Sequence, residues 1–143
     1  MKISLGCDHG GYALKEHIKA YLESKGHEVV DCGTYSTDSC DYPDYGHALA
    51  RGMENGECER GIAICGSGEG ISMTLNKHQM IRAALVWMPE IARLARQHND
   101  ANVLVMPGRF VTEAEATDIV EAFLTTDFEG GRHVNRINKI ALQ

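Results

Sequence analysis

The chain has 143 residues, 43% of them hydrophobic and 24% charged, with a formal net charge of −6. This length and balance suit one folded domain over 1–143 and exclude a disordered chain. Because the chain is acidic, lacks an apolar run of roughly 20 residues and shows nothing like a signal peptide, we expect no nucleic-acid partner, no membrane and a cytoplasmic location.

Strands and helices are predicted to alternate along the first half of the chain. A stripe formed by Leu14, Ile18 and Leu22 is typical of an amphipathic helix. Clusters of Ser, Thr and Asp mark a surface loop before the next helix. The predicted elements are a strand over 2–7, a helix over 11–25, a strand over 28–32, a loop over 33–43 and a helix over 45–55.

The second half continues the alternation. Thr112 and Glu115 have capping-box spacing at the start of one helix. The predicted elements are strands over 62–65, 81–87 and 102–106, and helices over 70–77, 89–97, 112–124 and within the tail 130–143. Five strands alternating with helices predict a three-layer, Rossmann-like α/β fold with a mostly parallel sheet and a C-terminal helix.

The third predicted strand carries the pattern of a strand that ends at a ligand site. Its apolar run, 62–65, ends in Cys65 and is followed by Gly66, Gly68 and Gly70. Glycine allows backbone N–H groups to converge on an anion, and open α/β sheets bind ligands beyond the carboxyl ends of their strands. An inert buried cysteine before a tight turn is the simpler alternative.

The five cysteines, at positions 7, 32, 40, 58 and 65, include no C-x-x-C pair. This favours free thiols and argues against a disulfide framework or a structural zinc site. A thiol redox protein, with Cys65 pairing with Cys7, remains an alternative without C-x-x-C support. A nucleotide-binding module is another, although the single residue between the second and third glycines departs from the dinucleotide fingerprint.

Polar side chains follow several predicted strands or end the helix before the fifth strand. The tail 130–143 contains no acid, and its two arginines lie four residues apart on one helix face, which favours an anionic ligand. We expect the sheet to gather most of these residues at one edge, within one chain or across a dimer. They are Asp8, His9, His98, Asn99, Arg109, Arg132 and Arg136.

Ordered motifs cover essentially the whole chain: Gly-Cys-Asp-His-Gly-Gly at 6–11, Asp-Cys-Gly-Thr at 31–34, Asp-Tyr-Pro at 41–43, Ile-Cys-Gly-Ser-Gly at 64–68, Asn-Lys at 76–77, Ile-Arg-Ala at 81–83, Arg-Gln-His-Asn-Asp-Ala-Asn-Val at 96–103 and Phe-Glu-Gly-Gly-Arg-His at 128–133. Together they resemble the ribose-5-phosphate isomerase B family and its relatives, the galactose-6-phosphate isomerase subunits. The resemblance implies interconversion of ribose 5-phosphate and ribulose 5-phosphate through an enediolate. It also implies no metal or other cofactor, and a homodimer or dimer of dimers whose sites draw on two subunits.

By this resemblance Cys65 is the base, His98 is the acid that opens the sugar ring, and Ser67 completes the catalytic set. The three arginines form a phosphate clamp, which His133 could join. For each residue a simpler role exists: a helix cap for His98, a polar turn for Asp8 and His9, and a solvated helix face for the tail arginines. The substrate-binding residues implied are Asp8, His9, Gly66, Ser67, Gly68, Glu69, Gly70, Asn99, Arg109, Arg132 and Arg136.

Two positions depart from the family pattern. Part of the family uses a glutamate after the glycine loop as the base, but Ile71 stands at that position here, which leaves Cys65. Glu69 lies inside the loop, where a negative charge would oppose a developing anion, so we expect it to face outward. A hexose 6-phosphate, of allose or galactose, is the alternative substrate, whereas the motifs at 98–100 and 131–133 favour the ribose phosphate.

Overall fold

The computed structural model describes residues 1–142. Its strands are β1 (Lys2–Cys7), β2 (Glu28–Asp31), β3 (Arg60–Cys65), β4 (Ala83–Leu85) and β5 (Val103–Pro107). They form one sheet that pairs in parallel throughout, in the order β2-β1-β3-β5-β4. Register places Cys7 beside Ile64 and Cys65 beside Pro107. The predicted α/β fold with a five-stranded sheet is confirmed, and its pairing is wholly rather than mostly parallel.

Helices cover both faces of the sheet. They are α1 (Tyr12–Ser24), α2 (Tyr42–Glu54), α3 (Glu69–Leu75), α4 (Pro89–Asn99), α5 (Glu113–Thr125) and α6 (His133–Ile137), with a 3₁₀ turn at His9–Gly11. One buried hydrophobic cluster includes residues of α1, α4 and α5, and a second includes residues of α2 and α3. No helix within 1–142 is both long and apolar enough to cross a membrane.

The two faces of β3 divide its side chains between the clusters. Ile62 and Ile64 belong to the cluster with α1 and α5, whereas Ala63 and Cys65 belong to the cluster with α2 and α3. This alternation follows from the two-residue period of a strand. Cys65 therefore directs its side chain towards the α2 and α3 layer at the end of its strand.

Three predicted boundaries are wrong. Helix α2 begins at Tyr42 rather than at residue 45, because Pro43 fits the first turn of a helix, so the loop predicted over 33–43 ends at Asp41. Strand β4 covers only three residues of the predicted 81–87. The tail helix is the short α6, and Gln143 lies outside the described residues.

A buried ion pair, absent from the sequence-based predictions, connects α1 to the end of β2. Lys15 is 0% exposed, and its Nζ donates to both carboxylate oxygens of Asp31 at 2.9 Å and to the carbonyl oxygen of Thr34 at 2.6 Å. The rings of Tyr12 and Tyr35 lie 5.3 Å and 5.1 Å from the ammonium. These contacts fix the start of the loop that leads to α2.

Candidate active site

Three chain segments meet at the carboxyl ends of β1, β3 and β5. The Asp8 N–H donates to the Ile64 carbonyl at 3.2 Å, and the Gly108 N–H donates to the Cys65 carbonyl at 2.8 Å. The Arg109 N–H donates to the Gly66 carbonyl at 3.0 Å. The turn after β1, the glycine loop after β3 and the turn after β5 are therefore held side by side, as a parallel sheet requires.

Cys65 is the last residue of β3 and is 4% exposed. All five cysteines are free thiols. Burial raises the pKa of Cys7, the resolving partner that a redox function would need, to about 12. A thiol that stays protonated is a poor nucleophile, so the structure disfavours the redox alternative.

Neighbouring side chains and the start of α3 restrict which residues fit in the glycine loop, 66–70. Gly68 has φ +78°, a left-handed conformation, and caps α3. A Cβ on Gly70 would lie 2.4 Å from Cζ of Tyr42, and one on Gly66 would lie 3.2 Å from Nε of Arg109. Gly68 and Gly70 therefore have reasons in the local packing of this fold, whereas the contact at Gly66 is with a flexible arginine side chain.

Ser67 and Glu69 are both exposed. The Glu69 N–H donates to Ser67 Oγ at 3.3 Å, so the hydroxyl sits at the first turn of α3. The exposure of Glu69 agrees with the expectation that its side chain faces solvent, and its role stays a prediction.

Asp8 and His9 form the turn after β1. The Asp8 carboxylate accepts the Gly10 N–H at 2.9 Å and caps the 3₁₀ turn. The Nδ1 atom of His9 accepts the Cys40 N–H at 3.2 Å, which leaves the other ring nitrogen for a ligand. The loop before α2 therefore orients the imidazole.

Tyr42 is a site neighbour that sequence reasoning did not select. It is 39% exposed, and its ring lies directly against Gly70. The Asp-Tyr-Pro motif at 41–43 could have indicated Tyr42, since an aromatic residue at the start of a helix beside the glycine loop can contact a ligand.

His98 lies in a second group of residues, with Glu129 and His133. The two imidazole rings stack with centroids 4.5 Å apart. The Glu129 carboxylate lies 3.8 Å from His98 Nε2 and 3.9 Å from His133 Nε2. Burial lowers the pKa of His133, and the neighbouring charge of Arg132 lowers it further.

The tail arginines and Asn99 belong to this second group. Arg132 caps α6, Arg136 lies in the last turn of α6, and both are exposed. Asn99 is the exposed last residue of α4, one position after His98. Helix α6 packs against α4, so these polar groups surround the same helix end.

The group around Cys65 and the group around His98 lie at opposite ends of the parallel strands. Asn102, which follows α4, accepts the Gly61 N–H through its carbonyl at 3.0 Å, and Gly61 is near the start of β3. Cys65 is four residues further along and ends the strand, about 13 Å away at ~3.3 Å per residue. One chain therefore does not bring all of the predicted site residues to the same end of the strands. A helix that connects two parallel strands ends where the second strand begins, so His98 lies at the amino-terminal end of the strands and Cys65 at the carboxyl end.

Arg109 is separated from the other two arginines by the same topology. Its guanidinium lies beside Gly66, in the group that contains Cys65. The three predicted clamp residues can therefore meet one phosphate only if a second chain supplies Arg132 and Arg136.

Comparison with known proteins agrees with this architecture. The chain is 47% identical over 139 residues to ribose-5-phosphate isomerase B of Escherichia coli K12, covering 97% of this chain and 93% of that protein. It superposes on a ribose 5-phosphate isomerase from Thermotoga maritima with a TM-score of 0.97 at 49% identity, covering 98% and 97% of the two chains.

A third relative carries a ligand. Ribose-5-phosphate isomerase B of Mycoplasma genitalium, solved with bound ribulose 5-phosphate, superposes with a TM-score of 0.92 at 45% identity, covering 97% of this chain and 93% of that one. The family model described as ribose/galactose isomerase matches residues 3–140. With the glycine loop at the end of β3 and a match across nearly all of its length, the chain belongs to the ribose/galactose isomerase family.

Proposed function

We propose that this chain, acting as one unit over 1–143, interconverts ribose 5-phosphate and ribulose 5-phosphate. One observation carries the proposal: Cys65 ends β3 directly before the glycine loop, between the turns that hold Asp8 and Arg109. The activity and ligand of the relatives named above agree with this substrate.

The reaction needs a base that moves one proton between neighbouring carbons. The thiolate of Cys65 removes the proton from C2 of the open aldose, and electrons move onto the carbonyl oxygen to give an enediolate. A proton then moves from the C2 hydroxyl to the oxygen on C1, the electrons on the C2 oxygen form the new carbonyl, and the Cys65 thiol returns the first proton to C1 to give the ketose. General bases of this kind contribute about 10²–10⁴-fold in rate.

The glycine loop supplies donors for the enediolate oxygen. Its N–H groups precede and begin α3, and the Ser67 hydroxyl adds a further donor at the exposed side of the loop. Asp8 and His9 bind sugar hydroxyls from the neighbouring turn. In other enzymes, loss of one such donor costs about 2.7–4 kcal/mol of transition-state stabilisation.

The ring-opening acid is His98 of a second copy of the chain, in a homodimer or a dimer of dimers. This assignment follows from the separation of His98 and Cys65 in one chain. A groove of about 450 Å³ along the open edge of β4, lined by Leu85, Leu94 and Ile140 among others, gives the second copy an apolar surface to cover. The same arrangement brings Asn99 to a sugar hydroxyl.

The phosphate is bound by Arg109 of one chain with Arg132 and Arg136 of the other. We expect Arg132→Ala to raise KM for ribose 5-phosphate at least tenfold, because a charge-assisted bond contributes about 1.5–3 kcal/mol. Steady-state kinetics measures this. Arg93→Ala, an exposed arginine on α4, is the matched control; an unchanged KM for Arg132→Ala would remove that residue from the clamp.

Glu69 stays outside the mechanism. We expect Glu69→Gln to change kcat by less than about threefold, because an exposed charge in water contributes little. Initial-rate assays on ribose 5-phosphate decide this. A large rise or fall would place the carboxylate in the reaction.

The experiment that tests the proposed function is a side-by-side assay of ribose 5-phosphate, allose 6-phosphate and galactose 6-phosphate. We expect the highest kcat/KM with ribose 5-phosphate. A preference for either hexose phosphate would show that a hexose phosphate, and not ribose 5-phosphate, is the substrate. Absence of turnover with all three would refute the proposed activity.

A further inference from the structure

The proposed reaction uses only part of the side-chain cluster at the end of α4. His98, Glu129 and His133 each offer one ligand atom, and these atoms all lie within 4.8 Å of one another. Two imidazoles and one carboxylate form a donor set that zinc takes in three-ligand sites, with a fourth position left for water. We call these three residues the tail cluster.

His133 gives independent evidence that a ligand belongs there. The residue is 6% exposed, and its Nε2 is buried without a hydrogen-bond partner. The same atom faces the Glu129 carboxylate at 3.9 Å. Buried polar atoms in folded proteins nearly always have a partner, so an orphaned nitrogen aimed into a cluster of donors indicates an absent ligand.

The backbone already holds the tail cluster together. The Glu129 N–H donates to the Gln97 carbonyl at 3.1 Å, which fixes the tail against the end of α4. Tetrahedral zinc with bonds of about 2.0–2.1 Å requires ligand atoms about 3.3 Å apart. The side chains of His98 and Glu129 are 40% and 48% exposed, whereas His133 is buried. Because two stacked rings with an interplanar angle of 17° cannot both direct Nε2 at one ion, binding requires His98 to rotate out of its stack on His133 and Glu129 to turn inward.

Nearby charge sets the strength of the site. The guanidinium groups of Arg132 and Arg136 lie on the same short segment as His133 and oppose a dication. The Glu129 carboxylate offsets one of them. We therefore expect weaker binding than in closed four-ligand zinc sites.

We propose that the tail cluster binds one zinc ion per chain and that the bound ion holds His98 away from the sugar. The second part rests on the proposed function, in which His98 is the ring-opening acid. Zinc is then a reversible inhibitor of an enzyme whose proposed mechanism uses no metal, and the concentration of free zinc controls the activity through the tail cluster.

Competition with a chromophoric zinc chelator tests binding without reference to activity. We expect wild-type protein to take up one zinc per chain, and Glu129→Gln and His133→Gln each to raise the Kd at least tenfold. If His133→Gln fails to fold, Glu129→Gln carries the test, because its side chain is half exposed. Unchanged affinity in Glu129→Gln would overturn the proposal.

The control is a rival group formed by His47 and Glu54 of α2 with His78, which follows α3. His78 contacts His47 at 2.7 Å through Nε2 and Glu54 at 2.7 Å through Nδ1. We expect His78→Gln to bind zinc as wild type does. Loss of binding in His78→Gln, with Glu129→Gln unaffected, would move the site to that rival group and overturn the assignment.

Activity provides the second measurement. Zinc is expected to inhibit turnover of ribose 5-phosphate, EDTA to restore it, and Glu129→Gln to require at least tenfold more zinc for the same inhibition. Because the chelator reports binding directly, a chain that binds zinc but never turns over sugar phosphate refutes the isomerase proposal and supports the metal site. An active chain without zinc uptake refutes the metal site alone.

Discussion

Cys65→Ala is expected to lower kcat for ribose 5-phosphate by at least about 100-fold, the lower end of what a positioned base contributes. Cys65 is only 4% exposed, so alanine deletes one buried heavy atom at a cost of about 0.5–1.5 kcal/mol, which the fold should tolerate. Cys65→Ser tests the chemistry separately: a hydroxyl is a far weaker acid than a thiol, so serine should not restore the rate.

Cys58→Ala is the matched control for that experiment. Cys58 is also buried, at 5% exposed, and packs in the same hydrophobic cluster as Cys65. We expect Cys58→Ala to keep wild-type kcat within about twofold, because Cys58 precedes β3, at the end of the strand opposite Cys65, and is therefore not positioned to act as a base. Near wild-type turnover by Cys65→Ala would remove the thiol from the mechanism.

Lys15→Met is expected to lower the free energy of unfolding by about 3–5 kcal/mol, because it leaves the Asp31 carboxylate without its buried partner. That carboxylate is 11% exposed and keeps only Lys19, at 3.4 Å, as a second cation. Urea denaturation measures the loss. A change under about 1 kcal/mol would mean that water or Lys19 replaces the ammonium without cost.

Lys19→Met is the control, because it removes the outer partner of the same carboxylate. Lys19 is 33% exposed, and an exposed ion pair contributes only about 0–1 kcal/mol. Each variant removes one positive charge, so the difference between their free energies of unfolding measures the contribution of the buried contact. The buried contact also matters for the site, since Lys15 holds Thr34 in the loop that orients His9 through Cys40.

The ion pair also predicts a pH dependence. Burial alone would raise the pKa of Asp31, but hydrogen bonds from Lys15 and from the Gly33 N–H outweigh it, so the pKa lies below its ordinary value. A carboxyl whose pKa is lowered by folding stabilises the protein above its unfolded pKa, near 3.9, and loses that contribution as the pH falls through the folded value. The stability gap between wild type and Asp31→Asn should therefore narrow below about pH 4.

Much of the fold could be predicted because local pattern decides it. Buried parallel strands are short apolar runs, as at Ile62–Cys65, and the stripe of Leu14, Ile18 and Leu22 identifies α1. Thr112 and Glu115 form the predicted capping box. The ends of β4 could not be fixed in the same way, since contacts from distant segments, such as Asn102 on Arg82, determine them. The start of α2 did have a local signal in Pro43, which fits the first turn of a helix.

The division of the site into two groups is the principal difference from the sequence-based expectation. The order of strand and helix already contained the signal, because a helix between parallel strands returns to their starting edge. His98 ends such a helix, whereas Cys65 ends a strand. The burial of Lys15 could not be predicted from its position in the sequence. It depends on Asp31 and Thr34, which only the folded chain brings beside the ammonium group.

The catalytic and binding roles remain predictions, and the most direct test is complementation between Cys65→Ala and His98→Gln. Each variant alone should be nearly inactive. In a symmetric dimer, a hybrid of the two carries one site with both wild-type residues and one with neither, so the purified hybrid should recover about half of the wild-type turnover per dimer. A hybrid of verified composition that stays as inactive as its parents would contradict a site built from Cys65 of one chain and His98 of the other.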